Sequence, residues 1–312
     1  MENLILSFTV VFPLFANMIL GYGLKSIHLL DEGTTKNMNT VVFKVFLPLL
    51  LFNNIYKTNL NGIFNGKILG FAALSIIALF IILCILIPII EKDNKKRGVM
   101  IQGIFRSNFV IFGLPVATAL FGDGQVCIIA LLIAVVVPLF NFLSVIALEI
   151  FRGGKIDIKN VLKGIITNPL IIASTIGLTF LFLNIKLPGV LEKSVEDISK
   201  IATPLSLILL GATFEFKAIK ANLKQTIISV VGRLVILPSI MLPLSAFLGF
   251  RNVELVGLML IFGAPTAVSS FTMAEKMDGD AELASQIVVF TSAFCILTVF
   301  IWIFILKQLA LI

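Results

Sequence analysis

Apolar residues run along this chain in long blocks rather than in the stripes of half-buried helices. Between clusters rich in charge, Gly, Asn or Pro, the blocks place helical spans at 4–24, 37–56, 68–90, 99–120, 126–148, 161–184, 197–214, 225–248, 253–274 and 283–306. Most are apolar on every side, so length identifies them where periodicity cannot, and runs of about 18 to 25 residues suit a bilayer. The first block, Leu4 to Leu24, is too long for a signal-peptide core, lacks a basic stretch before it and a cleavage pattern after it, and is expected to stay as a span. No connection exceeds about 20 residues, so no appended soluble domain is expected.

Composition agrees with lipid as the solvent. Of 312 residues, 59% are hydrophobic and 13% charged, with a mean hydropathy of +1.10; soluble domains carry about a quarter charged residues. The net charge of +7 resides in short patches such as Lys92, Lys95, Lys96 and Arg97, the pattern of loops facing anionic lipid rather than of a nucleic-acid surface. With the N-terminus outside, the cytoplasmic loops hold fourteen Lys and Arg against seven on the opposite side, which favours both termini outside a multi-pass cytoplasmic-membrane protein. Cys84, Cys127 and Cys295 are isolated within apolar runs and point to neither a disulfide framework nor a zinc site.

The chain repeats itself. Ile111-Phe112-Gly113-Leu114-Pro115 and Ile261-Phe262-Gly263-Ala264-Pro265 stand 150 residues apart in the fourth and ninth blocks. Weaker echoes pair Pro48 with Pro204 and Gly122-Asp123 with Gly279-Asp280. The expected unit is therefore five spans, residues 1–150 and 151–312, and an odd number forces the second copy upside down. Pro lacks the N–H that closes a helical ladder and Gly loosens the backbone, so each Gly-x-Pro is expected to unwind its span near mid-membrane. Unpaired backbone at that depth needs protein or a hydrated cavity around it. Two such breaks are expected to cross at a central site, where half-helix N-termini suit an anion such as a carboxylate.

Polar side chains inside the blocks sharpen the expectation. Every acid lies in a loop or near a span end, which argues against a carboxylate proton relay and leaves backbone carbonyls as the available cation ligands. Arg106 and Arg233 each lie nine residues beyond a basic loop residue, roughly 13 Å deep by helical rise. Either they draw organic anions into a cavity, or they snorkel to the interface and anchor their helices. Asn108 and Asn141 can reach a carboxylate or fasten two helices together. Of Thr266, Ser269, Ser270 and Thr272, one or two are expected to line the site, the rest bonding back to their own helix. Catalysis has no visible machinery: His28 falls in a loop, no intramembrane Asp pair exists and the Cys residues have no His partner. No metal site or resident cofactor is expected. A channel or receptor with broken helices remains the competing class.

The string Arg106-Ser107-Asn108-Phe109-Val110-Ile111-Phe112-Gly113-Leu114-Pro115 resembles the auxin efflux carrier family. So do Val45-Phe46-Leu47-Pro48, Asn168-Pro169 and Ala202-Thr203-Pro204-Leu205 with Gly211. The resemblance implies an all-α membrane fold of ten spans in a five-plus-five inverted repeat, similar to bile acid/sodium symporters. Spans one, two, six and seven would form a scaffold, and spans three to five and eight to ten a mobile transport domain. It implies a small carboxylate as substrate and a homodimer through the scaffold, and the sequence leaves the coupling ion, proton or sodium, open. The family's Asn and crossover Pro fall on Asn108 and Pro115, with Pro265 as the second crossover Pro. Residues 149–160 are short where plant members carry a large insert, so the chain looks like a bacterial malate or malonate permease.

Overall fold

The structure, a computed structural model, describes residues 2–57, 65–122, 127–152, 158–214 and 219–312. Within these the chain is helical, with no β-strand. Five helical stretches are long and apolar enough to cross a membrane: Glu32–Tyr56, Gly66–Ile90, Leu131–Ile150, Lys220–Phe247 and Ala281–Gln308. Phe109–Phe121, Pro169–Phe182 and Asn252–Gly263 are apolar but shorter.

In chain order the helices are α1 Glu2–Ser26, α2 Glu32–Val41, α3 Leu47–Tyr56, α4 Gly66–Ile90, α5 Asn94–Phe105, α6 Phe109–Phe121, α7 Cys127–Ile150 and α8 Ile158–Thr167. They continue as α9 Pro169–Phe182, α10 Gly189–Ser199, α11 Ala202–Thr213, α12 Ile219–Val231, α13 Leu237–Phe247, α14 Asn252–Gly263, α15 Ser269–Lys276 and α16 Ala281–Gln308. Local chemistry sets many of the starts. Asp31, Asn65, Asp93, Asn168 and Asp280 each accept a backbone N–H from the first turn that follows, and Pro169 needs no such acceptor.

Two helices are continuous only through a π-helical turn. Val42–Phe46 joins α2 to α3 and Gly232–Ile236 joins α12 to α13, and each turn leads directly into Leu-Pro, at Leu47-Pro48 and Leu237-Pro238. The proline cannot donate to the carbonyl one turn back, and the widened turn absorbs that loss without ending the helix.

Helix α14 lies at the centre. Its residues from Leu255 to Gly263 are buried on every side, which explains why its sequence shows no amphipathic stripe. Around it pack α6, α7, α13 and α16. The outer helices keep large apolar side chains uncovered, among them Leu74, Ile89, Phe182 and Phe247, the last 87% exposed. Water would not tolerate so extensive an apolar surface, and lipid does.

Among the described helices, α1 packs most extensively against α11, and α3 against α9. A Cβ on Gly21 would overlap the carbonyl of Ile208, and one on Gly211 would overlap the carbonyl of Met18, so the two glycines admit each other's backbones reciprocally. Small residues permit this approach where no hydrophobic force drives helices together in lipid.

Candidate functional site

Two helices are interrupted at one level of the molecule. Between α5 and α6 the residues Arg106, Ser107 and Asn108 leave the helix, and between α14 and α15 residues 264–268 do so. The interruptions cross. Ser107 and Thr266 form an isolated antiparallel bridge, and the Asn108 N–H donates to the Pro265 carbonyl at 2.8 Å. Thr266 secures the crossing with both polar groups: its N–H donates to Thr291 Oγ1 at 3.1 Å and its hydroxyl to the Gly103 carbonyl at 2.7 Å.

The first break lies earlier than expected. Gly113, Leu114 and Pro115 all fall inside α6, and the chain unwinds about a turn and a half before them. A proline in the second turn of a short helix loses a bond only to the carbonyl four residues before it, and the open segment just upstream absorbs the strain. Gly113 packs against Ile129 and Phe109, and the side chains of Leu114 and Pro115 lie outside the described ones. The second motif differs: Ile261, Phe262 and Gly263 close α14, and Ala264 and Pro265 open the break. The twin motifs therefore occupy unlike places, one following its break and the other leading into it.

Beside the crossing is a narrow cavity of about 90 Å³, walled by α3 and α11 on one side and by both breaks and α7 on the other. Arg106, Asn108, Asn141 and Ser269 line it, with Ser107, Thr203 and Ser206, which the sequence reading did not single out. Serine and threonine are too common in membrane helices for position alone to mark them.

Arg106 dominates the electrostatics. Only 3% exposed, it donates from Nη2 to Asn141 Oδ1 at 2.7 Å and to Ser269 Oγ at 2.6 Å, while Nη1 approaches Met273 Sδ at 2.6 Å. No described acid pairs with it. Asn141 is held in turn by a bond from Nδ2 to the Val137 carbonyl at 2.8 Å. The α6 and α15 N-termini meet the cavity at Phe109 and Ser269, and neither is capped by a side chain. Buried Asn108 Nδ2 and Ser107 Oγ have no hydrogen-bond partner among the described residues. Positive charge, helix-end N–H groups and an unsatisfied amide thus converge on one small space.

Arg233 is placed otherwise. It neither snorkels nor lines the cavity; it is fully buried behind the crossing, where its guanidinium donates to four backbone carbonyls. Gly263 and Ala264 likewise lie away from the cavity, Gly263 near Pro238 and Trp302. Pro48 and Pro204 sit in the first turns of α3 and α11, the two helices that form the opposite wall. Ser270 and Thr272 are buried, and neither lines the cavity.

On one flank of the cavity, α2 meets α15: Asn39 Nδ2 donates to Glu275 Oε2, and Lys276 Nζ donates to the Lys36 carbonyl at 2.9 Å. Among the described residues, no group of His, Cys, Asp and Glu is placed to hold a metal ion.

Comparison with known proteins agrees with a role in transport. The chain is 24% identical over 301 residues to a protein named an uncharacterized transporter from Methanocaldococcus jannaschii, covering 91% of this chain and 94% of the relative. A second archaeal protein of that description, from Methanothermobacter thermautotrophicus, is 22% identical over 297 residues, 91% of this chain and 93% of the relative. The model of the family described as membrane transport protein matches residues 6–303, and with the crossed, broken helices around a charged cavity this places the chain in that family, the family of the auxin efflux carriers.

Proposed function

We propose that this protein carries small organic anions, carboxylates foremost, across the cell membrane by alternating access. The observation that carries the reading is Arg106: a buried guanidinium without an acidic partner among the described residues, at the edge of a cavity that two helix N-termini also face. A desolvated cation held only by neutral groups is costly, and an anionic ligand would offset that cost. The carboxylate would lie against Arg106, Asn108 Nδ2, the first N–H groups of α6 and the Ser269 N–H that opens α15.

The architecture behind this reading is ten spans in two inverted halves. Supporting it, corresponding helices end at a nearly constant shift: α1 at residue 26 and α9 at 182, α3 at 56 and α11 at 213, α4 at 90 and α13 at 247, α5 at 105 and α14 at 263. In this scheme α1, α2–α3, α8–α9 and α10–α11 form the scaffold, and the remaining helices move as the transport domain. Residues 1–150 and 151–312 are then the two halves, both termini lie outside, and two copies can pair through their scaffolds. The cavity, far below the roughly 300 Å³ of sites for drug-sized ligands, favours a malate-sized acid over a large amphipathic one.

Uptake of labelled malate, malonate and indole acids into proteoliposomes, under imposed sodium, proton or voltage gradients, tests the proposal. Saturable uptake of a small carboxylate is expected. Movement of a cation with no carboxylate would overturn it, and unsaturable single-channel currents would point to a pore.

A further inference from the structure

The crossing has a second pole. Helix α5 ends at Phe105 and α14 at Gly263, so the last carbonyls of both point into the protein at the depth where the chain unwinds. These are negative dipole ends, and buried carbonyls need donors or a cation. One side chain serves four of the carbonyls at these ends. From α12–α13, Arg233 donates through Nε to the Ala264 carbonyl at 2.7 Å and through Nη2 to the Ile261 carbonyl at 2.6 Å. Its Nη1 reaches the carbonyls of Ile104 and Phe105 at 3.2 and 3.1 Å. The residue is 0% exposed, and no described acid pairs with it.

Four carbonyl oxygens converging from two unwound helix ends are the donor set that a broken-helix transporter offers to a small monovalent cation. We propose that Arg233 is a tethered cation that fills this set permanently, so that the C-terminal ends of α5 and α14 draw their positive charge from the protein and not from an exchangeable ion. The π-helical turn Gly232–Ile236 that carries Arg233 widens the helix at this position, and Gly232 itself lies against Ile104, close to one of the carbonyls served. The Trp302 Nε1–H, donating to the Leu234 carbonyl at 3.1 Å, pins the same turn from α16.

The two arginines then divide the work. Arg106 stands at the N-terminal ends of α6 and α15, where it faces the cavity, and Arg233 stands at the C-terminal ends of α5 and α14, where it faces only backbone. A fixed charge cannot be left behind on one side of the membrane, so this locus contributes no ion gradient to transport. The inference uses the crossing alone and does not depend on the nature of the substrate.

The test is thermal unfolding of the full chain in lipid nanodiscs, without substrate, in choline, sodium, potassium or lithium chloride at constant ionic strength. Wild type and Arg233→Lys are expected to unfold at one temperature in all four salts. Arg233→Ala is expected to unfold earlier in choline and to regain stability saturably with sodium or lithium, a small cation entering the emptied carbonyl cluster. Arg233→Gln, which loses the charge but keeps two donors, is expected to respond to the same ions more weakly and provides the neutral variant should the alanine protein not fold. Saturable sodium stabilisation of wild type would overturn the proposal. So would neutral variants whose unfolding is the same in choline and sodium. Because no substrate is present, failure here leaves the anion reading standing, and absence of anion uptake leaves this result unaffected.

Discussion

Arg106 Nη2 donates to Ser269 Oγ at 2.6 Å, tying the first break to the residue that opens α15. The guanidinium that faces the cavity is thereby held by the second broken helix as well as by Asn141 on α7. Arg106→Gln is expected to weaken carboxylate binding by tenfold to a hundredfold, the about 1.5 to 3 kcal/mol of a charge-assisted hydrogen bond. Equilibrium binding of labelled malonate to the purified protein measures it, and unchanged affinity in a folded variant would remove Arg106 from the site. Ser269→Ala leaves the charge in place and is expected to cost less.

Thr266 is the buried fastener of the crossing, with its hydroxyl on Gly103 and its N–H on Thr291. Thr266→Val keeps the shape and strands the Gly103 carbonyl, so a loss of about 1 to 3 kcal/mol is expected. Denaturation in nanodiscs reads the change, and a Thr291→Val variant, which strands the Thr266 N–H instead, is expected to fall in the same range.

The reciprocal approach of Gly21 and Gly211 leaves no room for a side chain on either. Gly211→Leu is expected to part α1 from α11 and to cost about 4 kcal/mol or more, at the severe end for single substitutions. Gly23, with open space around its Cβ position, is the control: Gly23→Ala is expected to be neutral or slightly stabilising. Comparable damage from both substitutions would contradict the packing.

The polar helix α10 supplies a test in pH. Hydrogen bonds from Lys200 and then Lys57 hold the partly exposed Glu196 carboxyl down to about 2. Its folded value lies below the unfolded one, so its contribution is present above the ordinary carboxylate range and fades as pH falls from about 4 toward 2. Wild type is therefore expected to unfold at a higher temperature than Glu196→Gln at pH 7 and to converge with it near pH 2. A gap independent of pH would assign the effect to something other than charge. The contribution is modest because the group is solvated.

If the transport domain moves against the scaffold, the Asn39–Glu275 contact must open in each cycle. Asn39→Cys with Glu275→Cys, in a chain lacking Cys84, Cys127 and Cys295, is expected to lose uptake on oxidation and recover it on reduction. Undiminished uptake in the fully cross-linked protein would exclude motion at this contact.

Much of the fold was legible because lipid imposes long apolar blocks whose ends are charged or helix-breaking. The expected block 68–90 is α4 at 66–90, and 283–306 falls within α16 at 281–308. The breaks were only half legible. Pro265 marks the second because it sits in the interruption itself, whereas Pro115 lies downstream of the first, where nothing but Ser107 and Asn108 signals the unwinding. Arg106 and Arg233 were visible as deep cations, yet their different surroundings were not. What separates them is whether a guanidinium meets a cavity or backbone carbonyls, and spacing along one chain does not encode that.

The π-helical turn Val42–Phe46 sets the phase of a helix as well as relieving its proline. One extra residue in a turn rotates everything beyond it by about 100°. Asn39 before the turn meets Glu275 on α15, while Leu47, Leu50 and Leu51 beyond it wall the cavity. An ordinary helix through 42–46 that kept every residue would swing the second set away by that angle, so one continuous rod presents a polar latch and an apolar wall to the helices facing it only because this turn is widened to hold a surplus residue.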